Sequence, residues 1–221
     1  MSELAMELTN TRVRKWGKLK VGLSDWGDPA ITVPGDPKTN PDAYFDKLTF
    51  KPKPFPVGVK ELGYITTSGV TDAKSISSNN TQMLQSLTPV RTDLESIEKT
   101  VQAVFGESNA YTNALYHGLQ VKDWPADKDS AWAYADGQAS EFPWYTLWLQ
   151  GVDGIGTQAI FRYEIGFRVT VTAIENRVLN RSDPEGYGFT LGLFEDPVIG
   201  LSHARVEDGP GYATHLTYTA P

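Results

Sequence analysis

The stretch FRYEIGFRVTVTA, residues 161–173, decides the fold class of this chain. Apolar side chains occupy every second position, namely Phe161, Tyr163, Ile165, Phe167, Val169, Val171 and Ala173. Successive side chains of a β-strand point to opposite faces, whereas a helix would spread these residues around its circumference. At ~3.3 Å per residue such a strand spans roughly 40 Å, which is long for a globular protein. The stretch therefore predicts one long strand with an apolar face, typical of a large β-sandwich or barrel.

The positions between these apolar residues are mostly polar and predict a second face that meets water or another surface. The candidates on this face are Arg162, Glu164, Arg168, Thr170 and Thr172. Partner strands are predicted before and after it, at residues 143–150 and 187–194, where apolar residues again alternate. Residues 151–156 carry three glycines and predict the connecting turn.

Further strands are predicted upstream. Residues 18–24 alternate weakly and indicate a first strand, and residues 62–67 a second, with Ser68 and Gly69 as its turn. Residues 70–79 are rich in Thr and Ser, which favours an exposed or inter-subunit strand. Residues 108–118 predict a short helix with Ser108 as N-cap and Gly118 as its left-handed end.

Residues 88–106 satisfy two patterns at once. Val90, Leu94, Ile97 and Val101 sit at helical spacing, but alternation from Ile97 to Phe105 also fits a strand. Counting the apolar residues that fit each pattern slightly favours the helix.

Composition indicates one domain overall, with two differently charged parts. The 221 residues include no Cys, which excludes disulfides and thiolate metal sites. Residues 1–60, a basic N-terminal arm with the first strand and a Pro-rich loop, hold ten Lys and Arg against seven Asp and Glu. Residues 61–221, the predicted β-sandwich body, hold ten against twenty, so the formal net charge is −7. An acidic body disfavours a tight grip on nucleic acid.

The basic arm suggests a docking element. Five cations lie close together without an intervening acid, and we predict that they contact a neighbouring subunit: Arg12, Arg14, Lys15, Lys18 and Lys20. Residues 25–56 hold seven of the fourteen prolines, which predicts an extended arm or loop with at most a short edge at residues 49–51. The acidic start of the chain has no long apolar run, so neither a signal peptide nor a membrane span is expected.

The residues that usually carry chemistry do not form a recognisable motif. His117, His203 and His215 lack metal-ligand spacing, and the aspartates at 123, 127 and 129 lack the glycine and final glutamate of a calcium loop. Ser202 lies in a sequence one residue short of a nucleophile elbow. No catalytic residue, metal site or cofactor is therefore predicted.

Three segments together resemble the major tail (tail tube) proteins of long-tailed bacteriophages. They are LGYITTSGVTDAKSIS from residue 62, TPVRTDLESIEKTVQAVFGESNAYTNALYHG from residue 88 and FRVTVTAIENRVLNRSDPEGYGFTLGLFED from residue 167. The resemblance covers about residues 60–196 and concerns the order of elements. In that family two antiparallel sheets flank one helix, six copies close a ring, and rings stack into a tube.

The resemblance implies a mainly-β fold with one short helix, built as two packed antiparallel sheets in a β-sandwich or barrel. It implies that residues 88–106 form a strand, against the helical count. It further implies a virion protein assembled in the host cytoplasm, whose partners are its own copies, a tape measure protein and tail-end proteins. DNA would pass through the tube without specific binding. The polar positions between residues 162 and 172 would then face the lumen or another subunit, and residues 25–60 would project between rings.

Two other classes of function stay open on the sequence. Trp124, Trp132 and Trp144 suit the platform of a carbohydrate-binding β-sandwich. A hydrolase using Ser202 is the third and least supported alternative.

Overall fold

The computed structural model describes residues 13–84, 88–135, 142–182 and 185–218. These residues form short 3₁₀ turns, one α-helix and eight strands: β1 (Lys18–Asp25), β2 (Lys60–Glu61), β3 (Ile65–Thr81), β4 (Arg91–Phe105), α1 (Ala110–Tyr116), β5 (Tyr145–Asp153), β6 (Ile160–Ile174), β7 (Tyr187–Phe194) and β8 (His203–Asp208). The described residues are thus mainly β with one α-helix, as the sequence predicts. The strand at residues 91–105 confirms the interpretation taken from the family resemblance, and the helical count there is wrong.

The strands pair antiparallel in the order β2-β1-β5-β6-β7-β4-β3, and β8 pairs with β6. Strand β6 belongs to both halves of this sheet. Its residues 161–166 pair with β8, and its residues 168–174 pair with β7. The sheet changes partners at the middle of β6 and folds over into a sandwich.

A β-bulge marks this change of partners. Tyr145 pairs with Val169 and Leu147 pairs with Gly166, so three steps along β6 match two along β5. An extra residue reverses the face to which every later side chain points. The predicted single apolar face is therefore wrong: the alternation is unbroken in sequence, but the two halves of β6 bury opposite sides.

Two apolar clusters result. The sandwich core contains Val169 and Val171 of β6 with residues of β1, β4, β5, β7 and α1. The loop core contains Tyr163, Ile165 and Phe167 of β6 with residues of the Pro-rich loop. Strand β5 contributes to both, which explains why both of its faces are apolar.

The Pro-rich loop, residues 26–59, packs on its own body. Ile31, Tyr44 and Phe45 are buried, and Phe55 lies against Trp148 and Tyr163. The Tyr44 hydroxyl donates to the Gly35 carbonyl at 2.6 Å. The predicted projection of residues 25–60 is therefore wrong, because the loop covers the outer apolar side of β5 and β6. The predicted edge at residues 49–51 is replaced by a bridge between Phe45 and Pro52.

Other boundaries also differ from the sequence predictions. Ser68 and Gly69 do not end a strand: β3 runs through them, with a register shift between Ile65 and Val70 that Gly69 accommodates at φ +74°. Asn109, not Ser108, caps α1 and accepts from the amides of Tyr111 and Thr112. Strand β8 was missed, because its six residues lie within a turn-rich tail.

Candidate functional site

Strands β3 and β4 extend beyond the body as a two-stranded arm, residues 71–81 and 91–98. All of these residues are exposed, so both faces of the arm meet solvent. At ~3.3 Å per residue the arm is roughly 35 Å long. Within the described residues β3 pairs with β4 alone, which leaves its outer edge unpaired. The exposed strand predicted at residues 70–79 is confirmed.

The two faces of the arm differ in chemistry. Ile76 lies opposite Ile97 and Ser78 opposite Leu94, so the three apolar residues share one face. Their exposed fractions are 58%, 47% and 62% for Ile76, Ile97 and Leu94. By alternation this face continues the side of β4 that carries Val101 in the sandwich core. The core-facing surface of the sheet thus runs on into the arm.

The opposite face of the arm is acidic. It carries Asp93, Glu95 and Glu98 beside serine and asparagine side chains of β3. Ser77 donates to Glu95 at 2.8 Å, which confirms that Glu95 shares this face, and Arg91 pairs with Asp93 at 2.7 Å.

Polar contacts fix the base of the arm to the body. Arg205 of β8 forms an ion pair with Asp72 of β3. On β4, the Lys99 ammonium donates to the Ser202 hydroxyl at 3.2 Å. Both contacts join the β3–β4 pair to the segment that contains β8, so they anchor the base of the arm.

Arg205 also contacts Glu164, the centre of a polar cluster inside the sandwich. Glu164 is 6% exposed, and its carboxylate accepts from Arg205 Nε at 2.8 Å and contacts His203 Nε2 at 3.1 Å. Arg162 Nη1 lies 3.4 Å away. A cavity of about 60 Å³ lies beside the cluster, with Trp16 on its wall. The cluster thus surrounds space for a few water molecules.

The neighbouring side chains decide the ionisation of Glu164. Burial raises the pKa of a carboxyl group, but the contacts with His203 and Arg205 outweigh burial and hold the pKa of Glu164 below its ordinary value. Burial lowers the pKa of Arg205, and Glu164 and Asp72 outweigh it and raise that pKa. Glu164 is therefore a carboxylate at neutral pH.

The five predicted polar positions of β6 do not share a face. Arg162 and Glu164 point into the sandwich interior, where Arg162 also pairs with Glu207 at 2.6 Å and covers the Trp16 ring at 4.2 Å. Beyond the bulge, Arg168 lies on the other side. The prediction of one lumen or contact face made of all five is wrong, because the bulge at residues 166–169 divides them.

Beyond the bulge, the later members of the set make local contacts. The Arg168 guanidinium lies over the rings of Trp26 and Trp144, at 4.9 and 3.9 Å. Thr170 donates to the Pro143 carbonyl at 3.0 Å, and Thr172 to the Thr190 carbonyl at 3.2 Å. Only Thr172 of these three is exposed.

The predicted basic cluster lies at the entry to β1. Arg12 lies outside the described residues. Arg14 covers the Tyr212 ring at 5.7 Å, and Lys15, Lys18 and Lys20 are exposed. Lys20 pairs with Glu61 at 3.1 Å, with both side chains well exposed.

A groove of about 670 Å³ opens beside this part of β1. Its lining includes Trp16, Leu19 and Val21, residues 63–67 and 69, and Lys18 and Lys20. Strand β2 is only two residues long and pairs with Gly22 and Leu23. In the described part of the chain, residues 18–20 therefore lack a strand partner on the groove side.

The residues considered for chemistry are distributed over the molecule. His203 contacts Glu164, and His215 contacts Asp208 at 2.8 Å; both acid partners were missed because 39 and 7 residues separate them in sequence. Among the described residues, no three His, Asp or Glu side chains form a group able to hold a metal. Ser202 precedes β8 rather than a helix, unlike the serine of a nucleophile elbow.

The three tryptophans proposed for a sugar platform are separated by burial. Trp124 is 6% exposed and donates to the Leu119 carbonyl at 2.9 Å. Trp144 is half-buried beneath Arg168. Trp132 is 43% exposed and stacks on Tyr134 with ring centroids 5.3 Å apart.

A comparison of the chain with protein-family models and with curated proteins finds no match. No helix among the described residues is long and apolar enough to cross a membrane. The fold and its surface define a class: a mainly-β antiparallel sandwich with a long two-stranded arm.

Proposed function

We propose that the protein is a structural subunit that assembles with its own copies into stacked rings, forming a phage tail tube through which a genome is delivered. The observation that carries this proposal is the arm, residues 71–81 and 91–98, with both faces uncovered and both edges unpaired among the described residues. The order of elements resembles tail tube proteins, and the strand at residues 91–105 agrees with the family pattern where the helical count does not.

The arm supports assembly because it is an unfavourable structure for an isolated subunit. Two strands alone are marginally stable in water, and an unpaired edge invites pairing with another chain. The arm also exposes an apolar face to water, which is unfavourable; this face consists of Ile76, Leu94 and Ile97. Contact with another copy would cover both.

The net charge of −7 suits a conduit for DNA, because an acidic wall repels phosphate rather than retaining it. In this role the protein would belong to the virion, and a tape measure protein and tail-end proteins would be its further partners. The ring of six copies is taken from the family resemblance.

The test is assembly of the purified protein, followed by sedimentation and negative-stain microscopy. Rings or tubes are expected at high protein concentration. A species that stays monomeric at the highest attainable concentration would contradict the proposal.

A matched variant isolates the role of the arm. Replacing residues 76–97 by Asn-Gly would join Ser75 to Glu98, which are paired neighbours in the hairpin, through a two-residue turn. This variant should give the far-ultraviolet circular dichroism of a folded β protein and unfold cooperatively. It should form no rings. Normal tubes from this variant would show that assembly does not use the arm.

Binding of carbohydrate is the second function, and the exposed stack of Trp132 on Tyr134 is the observation that favours it. Aromatic faces at a surface stack on sugar rings. A glycan array separates the two proposals: binding abolished by Trp132→Ala would support this function, and an empty array would exclude it for the glycans tested.

A further inference from the structure

We propose that the arm of one copy docks on the N-terminal part of β1 in a second copy, acidic face toward the lysines and apolar face toward the groove. This inference rests on the proposed function and specifies the contact that assembly uses. The two surfaces complement each other in three respects, which are backbone, apolar area and charge.

The backbone complement consists of two unpaired edges. Strand β3 offers its outer edge along the arm, and residues 18–20 of β1 offer theirs where β2 stops short. An edge with free N–H and C=O groups is a template for another strand. Because both edges belong to antiparallel sheets, their pairing would extend one sheet into the next.

The apolar complement is the face of the arm and the groove. Ile76, Leu94 and Ile97 lie uncovered on one side of the arm. The groove presents the half-buried side chains of Trp16 and Leu19 beside the unpaired part of β1. Its volume of about 670 Å³ is enough for several aliphatic side chains.

Charge selects the pairing and its orientation. The acidic face of the arm carries Glu95 and Glu98, and the entry to β1 carries Lys15 and Lys18, all exposed. Opposite potentials across an interface favour the correct partner, and like charges penalise the wrong one. Arm-to-arm contact through the acidic faces would bring like charges together.

The partner is a second copy because the arm cannot reach its own groove. Asp72–Arg205 and Lys99–Ser202 tie the base of the arm to its own body. The foot of β3, at residues 65–67 and 69, lines the groove of its own subunit, and the exposed residues 71–81 continue the strand beyond it. A contact between two unlike surfaces is head-to-tail, which generates a closed ring or an open filament.

Charge reversal with rescue tests this contact in the full-length protein. Variant one carries Glu95→Lys and Glu98→Lys, and variant two carries Lys15→Glu and Lys18→Glu. Substitution is preferable to deletion of residues 1–20, since Lys18 and Lys20 belong to β1 and Trp16 packs under Arg162. Each variant alone should self-associate at least about tenfold more weakly than wild type, measured by sedimentation, with unchanged circular dichroism.

Rescue distinguishes a specific contact from damage to the fold. A 1:1 mixture of the two variants, and a single chain carrying all four substitutions, should each recover association. The control variant reverses two exposed acids away from the arm, Asp123→Lys and Glu195→Lys, with the same change in net charge as variant one. It should assemble like wild type.

The outcomes separate this inference from the proposed function. If wild type assembles and the reversed variants assemble equally well, or if neither the mixture nor the fourfold variant recovers, the contact is wrong and assembly stands. If wild type does not assemble, the proposed function itself fails.

Discussion

At the scale of single residues, the buried carboxylate of Glu164 is contacted by three side chains of β6 and β8, those of Arg162, His203 and Arg205. Glu164→Gln keeps the shape but removes the negative charge that Arg205 and His203 contact. Losing hydrogen bonds to a charged group in a buried site should lower the free energy of unfolding by about 2 kcal/mol. Urea denaturation of the two proteins at pH 7 measures the difference.

The pH dependence of that difference follows from the sign of the shift. The pKa of Glu164 is held below its ordinary value of 4.5, so its contribution to stability is complete above that pH. The contribution is lost as the pH falls through the lowered pKa of the folded state. Wild type should therefore lose its advantage over Glu164→Gln in acid. A gap that is constant down to pH 3 would contradict this assignment.

Gly166 lies in the bulge that divides β6. A Cβ added there would lie 2.7 Å from Val169 Cγ1 and 3.3 Å from Leu147 Cβ. Gly166→Ala should therefore cost about 1–3 kcal/mol of unfolding free energy through overpacking. Gly17→Ala is the control, because nothing lies within 4 Å of its added Cβ, and it should change stability little. Equal thermal midpoints for the two variants would show that the bulge accommodates a methyl group without a cost in stability.

At the scale of elements, β4 is buried at one end and exposed at the other along a single face. Ile97 is 47% exposed and Val101 is 3% exposed, four residues apart on the same side. Ile97→Thr should change the unfolding free energy of the monomer by less than about 0.5 kcal/mol, yet weaken self-association. Val101→Thr should cost about 1–3 kcal/mol, because it buries a hydroxyl.

Denaturation and sedimentation of the two variants together check this prediction. The informative contrast is that one substitution acts on assembly and the other on folding. A loss of monomer stability in Ile97→Thr as large as that in Val101→Thr would mean that the arm face is covered within the subunit.

The elements that were predicted well are those in which the sequence pattern of apolar and polar side chains matches their burial. The alternation in residues 161–173 gave β6 to within one residue at each end, and the apolar residues of β5 and β7 gave its neighbours. The bulge was invisible, because a strand that switches its buried side at an extra residue still alternates in sequence. It divided the predicted polar face between the sandwich interior and the Arg168 side.

Residues 88–106 and the histidine contacts were hard to predict for a different reason. Both helix and strand fit Leu94, Ile97 and Val101, and only pairing with β3 and β7 decides between them. The partners of His203 and His215 are set by tertiary register. Local pattern carries no information on either.

At the scale of the whole molecule, the Pro-rich loop is part of the folded body. The prolines and glycines of residues 25–56 predicted an extended segment, but Tyr44 and Phe45 are fully buried in the loop core. An extended segment that projects from the body would unfold separately. A loop that packs on the sheet unfolds together with that sheet.

Phe45→Ala tests which of these describes the loop. Removing a fully buried ring should cost about 3–5 kcal/mol, and the whole protein should still unfold in one transition. Tryptophan fluorescence and far-ultraviolet circular dichroism should then give coincident curves, because the loop core joins Phe45 to β6 and to Trp148. Leu48→Ala, at a position 82% exposed in the same loop, should leave the midpoint unchanged. Separate transitions for the two signals would mean that the loop folds independently of the sandwich, and that residues 26–59 remain available to a neighbouring subunit.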